Sequence, residues 1–237
     1  GSLALQSQNA GADAYNVAIG HNAGLSVSTG IKNILIGGQA GDSLTTGSYN
    51  IAIGHEALQY ENTHGGNVAV GYLSLTSQRA GADAYNTVMG YEAGKLVSTG
   101  VGNTIMGAFA GDALTTGAKN IAIGYGALST EDGHGKNTAI GYSALNAQNA
   151  GADAYNVAVG YHAGLLVSTG IQNVLIGGLA GDAITTGSYN VALGHAALGV
   201  SILPSFNTAI GNASLGSNVH GHKNTAVGSG SLSNMAP

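Results

Sequence analysis

Short apolar triplets recur along the chain, each opened by Asn and closed by Gly. Examples are Asn16-Val17-Ala18-Ile19-Gly20, Asn50-Ile51-Ala52-Ile53-Gly54 and Asn156-Val157-Ala158-Val159-Gly160. The alternation has a period of two, which predicts a short strand with Val17 and Ile19 on one face and Ala18 on the other. After each Gly the chain is poorer in β-branched residues and richer in turn formers. Ser28-Thr29-Gly30 and Thr45-Thr46-Gly47 are predicted turns leading into the next Asn. One strand and one return segment then make one coil.

The pattern Asn-x-x-x-Gly-x-x-(Ala/Ser)-(Gly/Leu) starts at Asn16, Asn33, Asn50, Asn67, Asn86, Asn103, Asn120, Asn137, Asn156, Asn173, Asn190, Asn207 and Asn224. The step from Asn16 to Asn33 is kept throughout, except that the steps from Asn67 to Asn86 and from Asn137 to Asn156 are longer by two. A longer period lies above it, since Asn16, Asn86 and Asn156 open equivalent blocks, each preceded by Ala-Gly-Ala-Asp-Ala-Tyr, with four repeats in the first two and five in the third, whose last two repeats depart from the pattern. Repeats of this kind signal a solenoid. The expected fold is all-β: a parallel β-solenoid (β-roll) of about thirteen 17-residue coils spanning 3–232, with blocks 16–85, 86–155 and 156–228. Gly1-Ser2 reads as an expression scar and 233–237 as a tail or truncated junction, so the chain is expected to be a fragment of a longer protein.

Stacked at about 4.8 Å, thirteen such coils give a rod of roughly 60 Å. The Asn of each coil is expected to form an amide ladder, bonding the copies above and below. The Gly four residues later suits positive φ or a close backbone approach. The Ala face of the strands is expected to need covering along the rod, and association into a homotrimer would cover it.

Composition narrows the function classes. There are 41 Gly, no Cys and no Trp, and the formal net charge is −5 with only six Lys and Arg. Gly at this density opposes long helices. No cation cluster exists to displace counterions from nucleic acid. No apolar run approaches the roughly 20 residues of a membrane span, so no membrane insertion by this segment is expected. Without Cys there are no disulfides and no thiolate metal sites.

The strings Asn16-Val17-Ala18-Ile19-Gly20 and Asn137-Thr138-Ala139-Ile140-Gly141 resemble the head repeats of trimeric autotransporter adhesins. They are also similar to repeats of phage tail fibres and of trimeric surface fibres of predatory bacteria. The resemblance runs over nearly the whole chain. It implies a trimer of left-handed parallel β-rolls, an attachment role, and a place on the bacterial surface or a virion tail fibre. The repeat here is longer than that of the adhesin heads, so the return segment is expected to differ.

Candidate chemistry lies on the coil edges and in the loops. The position after the repeat Gly holds His21, His55, Tyr72, Tyr91, Tyr125, Tyr142, Tyr161 and His195. Stacked coils would align these rings, either as a structural ladder or as a platform for sugar rings. Asp42, Asp112 and Asp182, like Asp13, Asp83 and Asp153, recur at the block period and suit turn capping. The variable loops carry the ligand-binding candidates Tyr60, Glu61, His64, Glu131, Asp132, His134, His220 and His222. The run Val200-Ser201-Ile202-Leu203 suggests a partner contact. His220-x-His222 lacks a third ligand nearby in sequence, so no metal site and no cofactor are assigned. Glu56, Glu61, Glu92 and Glu131 are the only four Glu, and no Ser-His-Asp or paired-carboxylate set stands out. The expected function is therefore a non-catalytic, multivalent fibre binding a cell-surface glycan or envelope component. A passive tail-fibre shaft and a polysaccharide-degrading enzyme are the alternatives.

Overall fold

The structure, a computed structural model, describes residues 1–11, 13–217 and 221–233. The chain is an all-β parallel β-solenoid, and the described residues contain no helix. It divides into two compact units, Gly1–Lys119 and Asn120–Pro237. The first unit carries β1 (Val17–Ile19), β2 (Ile34–Ile36), β3 (Ile51–Ile53), β4 (Val68–Val70), β5 (Thr87–Met89) and β6 (Thr104–Met106). The second carries β7 (Ile121–Ile123), β8 (Thr138–Ile140), β9 (Val157–Val159), β10 (Val174–Ile176), β11 (Val191–Leu193), β12 (Thr208–Ile210) and β13 (Thr225–Val227).

Within each unit successive strands pair in parallel, each residue opposite its counterpart one repeat on. Val17 pairs with Ile34 and Ala18 with Leu35. The longer step does not disturb this register, because Val68 still pairs with Thr87. The two extra residues therefore bulge into the loop before Asn86. Gly1 and Ser2 also belong to the stack, at the positions of Gly71 and Tyr72. The Ser2 carbonyl accepts the Asn22 N–H at 3.0 Å.

The strand faces are the reverse of what the Ala face suggested. The middle residue of each triplet points inward, and Leu35, Ala52, Ala69, Val88 and Ile105 are completely buried. Val17, Ile19, Ile34, Met89 and Met106 on the outer face remain between 37% and 58% exposed. A coil this short has too little interior for two β-branched rows, so the small residue goes in and the large pair goes out.

The interior is filled by exchange between strand and return segment. Where the strand centre is Leu35 or Ile105, the return segment has Gly41 or Gly111. Where it is Ala52 or Ala69, that position is Leu58 or Leu75, fully buried. In these coils the Gly/Leu choice conserves volume, whereas Ala18 and Ala158 stand with Gly24 and Gly164. A second exchange follows three residues on. Gly-type coils bury Leu44 and Leu114 there, whereas Leu-type coils bury Glu61, Gln78, Glu131 and Gln148.

The Asn ladder forms, but through the backbone. Asn16 Oδ1 accepts the Asn33 N–H at 2.8 Å, and Asn33 Oδ1 accepts the Asn50 N–H at 2.9 Å. The Nδ2 of Asn33 donates to the Gly47 carbonyl at 2.9 Å. Each amide so staples its own coil to the next. Side-chain to side-chain bonds of the expected kind occur from Asn190 to Asn173 at 3.0 Å and from Asn207 to Asn190 at 3.3 Å. A backbone partner serves better, because it satisfies peptide groups that the turn would otherwise bury unpaired.

The repeat Gly is required twice over. Gly54 has φ +135°, and a Cβ there would lie 2.3 Å from the Gly71 carbonyl oxygen. This close approach fixes the coil spacing at the strand ends.

Candidate functional site: exposed ring rows and a groove

The residue after the repeat Gly lies outside the core, at the strand-to-return corner, in register with its counterparts. Rings therefore stack. In the first unit His55 and Tyr72 have centroids 5.7 Å apart, and Tyr72 and Tyr91 5.1 Å. In the second, Tyr125 and Tyr142 lie at 5.2 Å, and Tyr142 and Tyr161 at 5.5 Å. The interplanar angles are 10° to 21°, so the rings lie nearly parallel and the rows form ribbed aromatic strips. Tyr72, Tyr91, Tyr125, Tyr142 and Tyr161 remain 43% to 55% exposed. Such strips combine an apolar face with hydroxyl handles.

The loop candidates separate into two groups. Glu61 and Glu131 are fully buried. Glu61 Oε1 accepts the N–H groups of Asn62 at 3.0 Å and His64 at 3.2 Å. Glu131 Oε1 accepts the His134 N–H at 3.1 Å. Burial pushes both carboxyls up, with the backbone donors opposing it. These acids pin their turns from inside. Tyr60, His64, Asp132 and His134 sit nearer the surface. Tyr60 is covered by the Arg79 guanidinium at 5.2 Å from its ring centre.

Glu131, Asp132 and His134 each offer a donor atom within 4.8 Å of the others. Oxygen and imidazole donors in this mix suit a divalent cation. The equivalent turn has Asn62 in place of the second acid. His222 Nδ1 accepts the Ser205 N–H at 3.0 Å, a structural bond, and His220 lies outside the described residues. In the apolar run Val200, Ile202 and Leu203 are 51%, 42% and 43% exposed, with Phe206 beside them stacked on Tyr189 at 4.8 Å. Asp42, Asp112 and Asp182 are half-buried and their carboxyls are pushed up by that burial.

A second row, not singled out from sequence, precedes each repeat Asn. In the first unit it runs Tyr15, Lys32, Tyr49, Gly66, Tyr85, Gly102 and Lys119. The Lys32 ammonium lies 5.1 Å from the Tyr49 ring centre. Between Tyr49 and Tyr85 the row opens over Gly66 into a groove of about 380 Å³, lined by Thr46, Ser48, Tyr49, Thr63, Gly66, Asp83 and Tyr85. The bulged loop builds its far wall. Asp83 Oδ1 accepts the Gly65 N–H at 2.8 Å, and its Oδ2 lies 3.5 Å from the Tyr85 hydroxyl. The recurrence of Ala-Gly-Ala-Asp-Ala-Tyr was the available signal; that the loop folds back over the preceding coil was not in the pattern.

No family model, curated protein or solved structure matches the chain.

Proposed function

We propose that the chain is a non-catalytic segment of a trimeric extracellular fibre, on a bacterial surface or a virion tail, that binds cell-envelope glycans through repeated weak contacts. The observation that carries this reading is the rows of stacked, half-exposed tyrosines on a scaffold of registered coils. Each row offers an apolar ridge of ring edges for a sugar and hydroxyls for its rim. Repetition along one chain, and over three chains, turns weak contacts into avidity. The uncovered Val/Ile/Met face of the sheet supports the trimer, since an apolar face of this continuity calls for a partner.

Glu61 and Glu131 are buried in turns and separated in sequence by a full block, which favours binding over a paired-carboxylate hydrolase. A glycan array probed with the chain tests the reading, with its mass in solution measured alongside. Binding that weakens when Tyr72 and Tyr91 are changed to Ala, by a chain of trimeric mass, is the expected result. Absence of binding to any envelope polysaccharide would overturn it in favour of a passive shaft.

A further inference from the structure

The groove over Gly66 has a counterpart one block on, and there it is filled from within. Lys136 replaces Gly66. Its ammonium pairs with Asp153 Oδ2 at 2.5 Å and donates to the Tyr155 hydroxyl at 2.9 Å. It also lies 4.9 Å from the Tyr155 ring centre. Asp153 is held as Asp83 is, its Oδ1 accepting the Gly135 N–H at 3.1 Å. In the third block the position is Phe206, stacked on Tyr189. Gly66 thus carries no side chain where both other blocks have one, and the Tyr85 ring lies against it, 2.8 Å from where a Cβ would stand.

Lys136 therefore shows what the Asp-x-Tyr pair accepts: a primary ammonium, ion-paired to the carboxylate, bonded to the phenol and lying near the tyrosine ring. In the first unit Asp83 and Tyr85 present the same atoms to open solvent, with Tyr85 66% exposed. The rest of the lining is the Tyr49 ring and the hydroxyls of Thr46, Ser48 and Thr63. A ring facing hydroxyls is suited to a sugar rather than to an alkyl amine.

We infer that the groove at Tyr49, Gly66, Asp83 and Tyr85 binds an amino sugar through its free, unacetylated amine. The ammonium sits between Asp83 Oδ2 and the Tyr85 hydroxyl, in the place that the Lys136 ammonium takes in the next block. The sugar ring lies against Tyr49 and its hydroxyls meet Thr46, Ser48 and Thr63. N-acetylation removes the charge and leaves a single N–H donor where the ammonium has three. This inference deepens the glycan reading and rests on it.

The test is calorimetric titration of the full chain with a β-1,4-linked glucosamine disaccharide, its N-acetylated counterpart and cadaverine. The expected order is clear binding of the free-amine disaccharide and at least about tenfold weaker binding of the other two. Asp83→Asn keeps the oxygen that accepts the Gly65 N–H but loses the charge, so it should abolish the preference. Gly66→Lys should close the groove once the Tyr85 ring, 2.8 Å from the added Cβ, swings aside, and Lys136 already shows that lysine is held at this position at positive φ, +65°. Equal binding of the acetylated sugar, equal binding of cadaverine, or titrations unchanged by both substitutions would each overturn the inference. Retained binding to neutral glycans without amine preference sinks this inference alone, whereas failure of every sugar to bind sinks the glycan reading as well.

Discussion

The side-chain oxygen of Asn16 accepts the backbone N–H of Asn33 at 2.8 Å, and this relationship recurs from coil to coil. It makes each Asn an inter-coil staple rather than a surface polar residue. Asn33→Ala would strand the Asn50 N–H and the Gly47 carbonyl, both bonded to the Asn33 amide and both in buried residues. Two buried groups without partners cost about 2–6 kcal/mol together. Thermal unfolding followed by circular dichroism should show the loss. A change under about 0.5 kcal/mol would mean that neighbouring groups or water replace the amide at little cost.

Gly54→Ala is expected to be worse. Its Cβ would lie 2.3 Å from the Gly71 carbonyl oxygen, and φ is +135°, where an L residue is strained before any contact is counted. The coils cannot separate there without breaking the β3–β4 pairing. Gly81→Ala is the control, because nothing lies within 4 Å of the added methyl and φ is ordinary. Destabilisation by several kcal/mol at Gly54, or failure to fold, with no measurable change at Gly81, is the expected pair of outcomes. Equal tolerance of both would remove the close-approach argument.

The buried turn acids predict an unusual pH slope. Burial raises the Glu61 and Glu131 carboxyls above the ordinary glutamate range of about 4.3. A pKa higher folded than unfolded means that the folded chain holds the proton more tightly. The resulting stabilisation is complete below the unfolded value and is lost as pH rises through the folded one. Stability contributed by these two sites should therefore fall from about pH 4 upwards. Urea melts at several pH values, compared with those of Glu61→Gln and Glu131→Gln, isolate the contribution. The Gln chains should show a flatter profile over this window, and a steeper one would reverse the assigned direction.

The solenoid was legible because its determinants are local and repeated. Asn, the alternating triplet and Gly each recur at fixed spacing, and strands formed where the alternation placed them. Which strand face turns inward was not legible from Ala18 and Val17, since both faces are apolar. The choice depends on the width of the interior and on Leu58 or Leu44 filling it from the return segment. The roles of Glu61 and Glu131 were also hidden. Loop acids read as surface ligands, yet they stand at the position that Leu44 occupies in the neighbouring class of coil. The groove escaped notice because it depends on one substitution, Gly66 against Lys136, and on a two-residue bulge folding back. The row of rings from Tyr72 to Tyr91 was anticipated, since stacking follows directly from register.

The outer ridge of the sheet gives the last prediction. Ile19, Met89 and Met106 occupy the third strand position and stay 58%, 45% and 38% exposed. If three chains meet at this face, changing the three residues to Glu buries like charges against one another in the assembly while leaving them in water in the single chain. Desolvating carboxylates costs several kcal/mol each, more than a seam of this kind recovers from apolar burial. The variant should sediment as a monomer, keep its β circular dichroism, and lose avidity for multivalent glycan surfaces. A variant that still sediments as a trimer places the seam elsewhere. The tyrosine rows would then be the remaining extended apolar surface, and they would read as interface rather than as platform.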